Sequence, residues 1–164
     1  MKKLSVIFIV LLIFTFVGCS NKATSNEIIV KEYVEAKGYK ITESKGEIYR
    51  YTLEKRKICG GTETIPYQQA WSVQTIEPYV YFGKEIIIYG FIVKNHPLQE
   101  IDKHAEKGVV LSIMVADGEV IGGYSYPNAN VVGAFSSLDG KSLEEVTGLS
   151  FQQWSEAWEE KYAN

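Results

Sequence analysis

The side chains able to do chemistry in this chain are few: the thiols of Cys19 and Cys59, the imidazoles of His96 and His104, and Ser125 within Gly123-Tyr124-Ser125-Tyr126-Pro127. Nucleophilic catalysis requires a thiol or hydroxyl with a neighbouring base, and a zinc site requires histidine, cysteine or carboxylate ligands at close spacing. Neither pattern is written along the sequence. No second histidine or cysteine stands three or four residues from His96 or His104, and Glu100, four residues before His104, reads as a simple helix-face pair. The serine segment falls one residue short of the G-x-S-x-G elbow, and Ser125 lies in a strand pattern where the elbow needs a turn between strand and helix. Gly122-Gly123 marks a bulge or a place where another segment, or a ligand, lies close against a sheet. Cys59 has Arg56 and Lys57 near it but no histidine, and it reads as a small buried apolar residue.

Cys19 is set apart by what precedes it. Lys2-Lys3, an apolar run from Leu4 to Val17, and Gly18-Cys19-Ser20 follow in the order of an export signal. As a helix this fourteen-residue run would rise about 21 Å, short of the ~30 Å hydrocarbon layer that a retained span must cross. Phe16-Val17-Gly18-Cys19 resembles the lipobox of bacterial lipoproteins, with Phe16 where that pattern usually has leucine. The resemblance implies a diacylglyceryl group on the Cys19 thiol and cleavage just before it. Residues 1–18 are therefore expected to be a cleaved signal peptide, residues 19–26 the lipidated cysteine and a short polar tether, and residues 27–164 a single domain. Two acyl chains, at ~0.8 kcal/mol per buried methylene, hold a protein far more firmly than one. No cofactor is expected beyond the covalent lipid on Cys19.

The composition narrows the partners. The whole chain carries a formal charge of −3, and loss of Lys2 and Lys3 with the signal makes the balance more acidic. Nucleic acid is disfavoured, because phosphate contacts need clustered Lys and Arg. The one short basic run, Lys55-Arg56-Lys57, lies beside Glu54 and reads as a solvated strand end or turn. A two-lobed solute receptor would need about two domains of this length.

The elements that must position any site follow from periodicity. Ile29, Val30, Tyr33 and Val34 make a helical stripe that starts at Ser25 or Asn26 and stops at Gly38. Tyr39 to Glu43 and Glu47 to Glu54 alternate around Ser44-Lys45-Gly46 and predict a β-hairpin, with Tyr49, Tyr51 and Leu53 on one face. Pro66 opens a short helix carrying Tyr67, Ala70, Trp71 and Val73. Glu85 to Lys94 is a β-branched and aromatic run predicting a central strand buried on both faces. Leu98, Ile101 and Ala105 suggest the inner side of a short helix after Pro97. Asp117-Gly118 between Val109–Val115 and Glu119–Tyr126 predicts a two-residue hairpin. Val131 to Phe135 suggests a last strand. Ser142 and Glu145 form a capping-box pattern, and Ser150 caps a helix whose Phe151, Trp154, Trp158 and Tyr162 form a core-facing stripe. The fold class is α+β: an antiparallel β-sheet with N- and C-terminal helices packed on one face.

Four segments then carry a family likeness: Tyr81-Phe82-Gly83-Lys84-Glu85, Val93-Lys94-Asn95-His96-Pro97-Leu98, Asp117-Gly118-Glu119-Val120-Ile121-Gly122-Gly123-Tyr124 and Leu138-Asp139-Gly140-Lys141-Ser142-Leu143-Glu144-Glu145. Together they resemble uncharacterised small lipoproteins of Gram-positive, Firmicutes-type bacteria. The resemblance implies a lipid-anchored protein on the extracytoplasmic face of the cell membrane and carries no catalytic residue across. The function expected from the residues is a non-catalytic binding or interaction module of the cell envelope. Its partners would be the membrane, through the anchor, and an envelope protein or small ligand met by an aromatic-rich sheet face that includes Gly122, Gly123, Tyr124, Tyr126 and His96. The competing expectation is a small envelope hydrolase using Cys59 or the His96/His104 region. A shared cleft would favour the hydrolase; separated or buried groups would remove its candidates.

Overall fold

A computed structural model describes residues 25–162. The expected signal peptide, Cys19 and the tether as far as residue 24 lie outside the described residues. Helix α1 spans Ser25–Ala36, buries Val30 and Val34, and ends where Gly38 takes φ +81°. Strands β1 (Lys40–Thr52), β2 (Glu85–Lys94), β3 (Val109–Ala116), β4 (Glu119–Pro127) and β5 (Ser136–Ser137) form one antiparallel sheet in chain order. Helices α2 (Ile65–Ser72) and α3 (Leu98–Ile101) fill the β1–β2 and β2–β3 connections, and α4 (Leu143–Thr147) and α5 (Phe151–Tyr162) close the chain.

The hairpin expected within residues 39–54 is instead the single strand β1. Gly46 does adopt the positive φ of a turn, +65°, but the conformation serves a bulge. Thirteen residues of β1 run against ten of β2 with three register shifts. Full-length pairing gives the apolar β2 a hydrogen-bonded neighbour on both sides, which satisfies more buried backbone groups than a local turn would. β2 is thus an interior strand, and β3, buried at every position, lies at the middle of the sheet.

The hairpin expected at Asp117-Gly118 is present: both residues have positive φ, 51° and 80°, as a type I′ turn demands. Ser142 Oγ accepts the Glu145 N–H at 3.3 Å while the Glu145 carboxylate accepts the Ser142 N–H at 2.7 Å, completing the capping box of α4. Two local expectations differ. Ile101 is 73 % exposed, because α3 stops after one turn and the tighter helical turn Lys103–Lys107 shifts the phase, leaving Leu98 and Ala105 to face inward. Val131 to Phe135 is not a strand. Val131 and Val132 project into solvent, Phe135 alone packs back on Tyr124, and the strand forms one step later.

Two apolar layers sandwich the sheet. Tyr89, Phe91, Val93, Leu111 and Ile113 share a cluster with Val30 and Val34 of α1. Ile86, Ile88, Met114 and Ala116, which alternate with them, share another with Trp71, Trp154, Trp158 and Tyr162. Since successive strand residues point to opposite faces, α1 and α5 pack on opposite faces of the sheet. That corrects the expectation of both terminal helices on one face. β2 and β3 are apolar on both faces, so each helix has a surface of its own. Among the described residues no helix is long and apolar enough to cross a membrane.

Candidate ligand-binding site

On the α5 face, three elements bring tyrosines together. Tyr49 and Tyr51 alternate on β1 opposite Ile88 and Ile86, so both rings stand on the same face. Tyr67 arrives from α2, with Pro66 in its first turn, and Tyr124 stands on β4. Tyr51 and Tyr67 meet edge-to-face at 4.8 Å, and Tyr49 lies 5.8 and 6.2 Å from them. The Tyr49 and Tyr67 hydroxyls share a hydrogen bond of 2.5 Å, and Trp71 Nε1 donates to the Tyr51 hydroxyl at 3.0 Å. These rings, with Pro66, Ala70, Ile88 and the Glu63 side chain, line a cavity of about 310 Å³. The Lys57 ammonium sits over the Tyr67 and Tyr51 rings, 5.0 and 5.9 Å from their centroids.

The phenols of Tyr51, Tyr67 and Tyr124 stay neutral at physiological pH. The hydrogen bond to Tyr49, aided by burial, pushes Tyr67 up to about 12. Burial raises Tyr51 and Tyr124 above the ordinary phenol value, opposed at Tyr124 by the nearby Ser112 hydroxyl. Beside this cavity the sheet surface is shallow, because Gly90 and Ser112 precede Tyr124 in one cross-strand row. A Cβ on Gly90 would lie 3.0 Å from Ile48 Cγ2, so the glycine lets Ile48 fold over the sheet. Ser112 is 1 % exposed, and its Oγ meets no hydrogen-bond geometry among the described residues.

The residues expected to form one ligand face divide between two. Gly122, Tyr124 and Tyr126 share the α5 face with Met114, Ser112 and Val110, whereas Gly123 lies opposite Ile113 on the α1 face. The segment lying close to the two glycines is part of the chain itself. Gln74, just after α2, donates from Nε2 to the Gly123 carbonyl at 2.8 Å and accepts the Gly123 N–H on Oε1 at 2.9 Å. A Cβ on Gly122 would lie 2.2 Å from that Oε1. The bulge is there too, with Ile121 the extra residue where Gly122 pairs Met114 and Val120 pairs Val115. Phe135 stacks on Tyr124 at 4.4 Å and leans on Tyr126 at 5.5 Å.

His96 belongs to the α1 side and is a clamp. The Leu98 N–H donates to its Nδ1 at 3.1 Å, so Nε2 carries the proton and donates to the Leu138 carbonyl at 2.9 Å. Tyr39 packs on the imidazole at 4.8 Å, and its hydroxyl reaches the Leu138 carbonyl and Asp139. Burial pulls the imidazole below its ordinary value. Both ring nitrogens are thus committed to holding the Asn95–Leu98 turn against the Leu138–Gly140 turn.

The remaining reactive groups lie apart. Cys59 is exposed, against the expectation of a buried residue: the turn Lys55–Lys57 ends with Ile58 pointing inward, and Cys59 follows on the outer side. Its Sγ donates to the Arg56 carbonyl at 3.0 Å. His104 is exposed and its Nδ1 pairs with Asp102 at 2.9 Å, on a groove of about 600 Å³ shared with Tyr126 and Phe135. Ser125 is fully buried and donates to the Ser137 carbonyl at 2.7 Å, which ties β5 to β4. Among the described residues no group of three or more His, Cys, Asp or Glu is placed to hold a metal ion. The α1–α5 sandwich thus sets Cys59 beside the Trp158 cluster and His96 in the other layer.

Of the cavity residues, Tyr124 was legible as a candidate; Tyr49 and Tyr51 were legible only as one strand face. Tyr67 joins them through tertiary packing, with Lys57 over its ring, and the signal that could have pointed there is tyrosine recurring on both sides of the Gly60-Gly61 break. No protein-family model, curated protein or solved structure matches the chain.

Proposed function

We propose that this chain is a lipid-anchored binding module on the extracytoplasmic face of a bacterial membrane, held by diacylglyceryl-Cys19 and engaging a small envelope ligand in the tyrosine-lined cavity. The observation that carries the binding half is the cavity itself: Tyr49, Tyr51, Tyr67 and Tyr124 converge from β1, α2 and β4, each on a regular element. Aromatic walls with a few polar groups are what small-molecule sites are made of. The anchoring half rests on the order of residues 2–20, and the Gram-positive kinship on the four segments that resemble small lipoproteins. An envelope protein remains the other partner class.

The hydrolase reading draws no support from the arrangement of its three groups. Cys59 and His104 are exposed in different surroundings and His96 is spent on two backbone bonds.

The test is an NMR titration of the lipidated protein, in a non-glycosidic detergent, against soluble fragments released from its own envelope. The expected result is saturable shifts at Tyr49, Tyr51, Tyr67 and Tyr124. Shifts confined to Cys59 or to the His104 groove, or turnover of the fragments, would contradict the proposal.

A further inference from the structure

The walls and rim of the tyrosine cavity select among ligand chemistries. A cation would have to share the Tyr51 and Tyr67 rings with the Lys57 ammonium, which already lies over both and repels a second positive charge. An anion is drawn by Lys57 but opposed by the Glu63 carboxylate and the negative faces of the phenol rings, as a cation is drawn by Glu63 but opposed by Lys57, so neither sign of charge is matched. A wholly apolar ligand would cover Glu63 and the hydrogen-bonding capacity the phenol hydroxyls keep beyond their bonds to one another and to Trp71, at about 1–3 kcal/mol for each polar group left unsatisfied. What fits is a neutral molecule with one aliphatic C–H face and a rim of hydroxyls.

Size limits it further. At about 310 Å³ the cavity stands at the low end of the ~300–1,000 Å³ typical of small-molecule sites, enough for a ring or two.

We infer that the tyrosine cavity binds a neutral sugar ring, whose weakly positive C–H face lies on the phenol faces while its hydroxyls pair with Glu63 and the tyrosine hydroxyls. The inference rests on the binding reading above and names its ligand class.

The experiment is calorimetric titration of the lipidated full-length mature protein, in a non-glycosidic detergent, with glucose, galactose and N-acetylglucosamine; tetramethylammonium and acetate serve as charged probes. Saturable binding of at least one sugar is expected, weakened about tenfold or more by Tyr67→Ala, equivalent to ~1.4 kcal/mol. Glu63→Gln, at the rim, is expected to weaken it severalfold with the near-ultraviolet circular dichroism unchanged, which keeps the test valid if Tyr67→Ala does not fold. Saturation by tetramethylammonium or acetate in place of every sugar would overturn the inference, as would sugar binding indifferent to both substitutions. If no sugar binds while envelope fragments still shift the cavity tyrosines, the sugar class fails and the binding reading stands; if neither occurs, both fail.

Discussion

Gln74 clasps Gly123 with both ends of its side-chain amide, Oε1 accepting the Gly123 N–H at 2.9 Å and Nε2 donating to the Gly123 carbonyl at 2.8 Å. The side chain thus stands in for a neighbouring strand along part of β4 that β5 does not reach, since β5 pairs only with Tyr124 and Ser125. Gln74→Ala removes both partners and is expected to cost about 1–3 kcal/mol in urea unfolding. The two glycines should respond differently in a double-mutant cycle. A Cβ on Gly122 meets the movable Gln74 Oε1 at 2.2 Å, so Gly122→Ala should be partly relieved in a Gln74→Ala background. A Cβ on Gly123 meets the Ser112 backbone carbonyl at 2.3 Å, so Gly123→Ala should be severe in either background.

The His96 clamp makes stability depend on pH. Burial lowers its folded-state value, an effect opposed by the hydrogen bond to Leu138 and by Asp139 and aided by Lys37. Between the lowered folded value and the ordinary value of ~6.5, the unfolded chain binds more protons. The His96 contribution is therefore complete above about pH 6.5 and is lost as pH falls toward the folded value. Unfolding free energies measured across that window should decline in the native sequence and decline less in His96→Gln. Equal slopes would show that the imidazole does not titrate as the clamp requires.

Within the cavity, Tyr49 and Tyr67 are linked through their hydroxyls, and that bond is the leading reason Tyr67 is pushed up to about 12. Tyr49→Phe removes the bond while keeping the ring. An ultraviolet-difference titration should then show one phenol ionising at a lower pH than before, and a titration curve that merely loses one group would contradict the geometry.

Trp158 joins α5 to the turn after β1 through Nε1–H donating to the Ile58 carbonyl at 2.7 Å. Trp158→Phe keeps most of the buried ring and leaves that carbonyl without its donor, an expected loss of about 1–3 kcal/mol. Trp158→Ala removes the ring as well and should cost about 3–5 kcal/mol. A difference between the two substitutions close to zero would mean that burial of the ring contributes little at this site.

What could be read beforehand was what local chemistry dictates. Asp117-Gly118 and the pair Ser142 and Glu145 specify their turn and cap through backbone conformation and side-chain reach alone, and both stand as expected. The Trp154, Trp158 and Tyr162 stripe is buried for the same local reason, whereas Phe151, at the first residue of α5, is 70 % exposed. What escaped was decided at a distance. Gly46 has the conformation of a turn, yet β2, forty residues away, offers a full-length partner and turns it into a bulge. The faces taken by α1 and α5 were illegible because β2 and β3 are apolar on both sides. The cavity was illegible for a related reason: Tyr67 reaches Tyr49 and Tyr51 only after α2 folds back over β1, which no spacing in the chain announces.

The claim on which the proposed function depends is that the domain is held at a membrane by Cys19. Intact-mass spectrometry of the protein extracted from membranes of a producing bacterium tests it directly. The expected result is an N-terminus at Cys19, residues 1–18 absent, and a diacylglyceryl mass on Cys19 that disappears in Cys19→Ala. A chain beginning at Met1, or one beginning at Cys19 with an unmodified thiol in the soluble fraction, would contradict it.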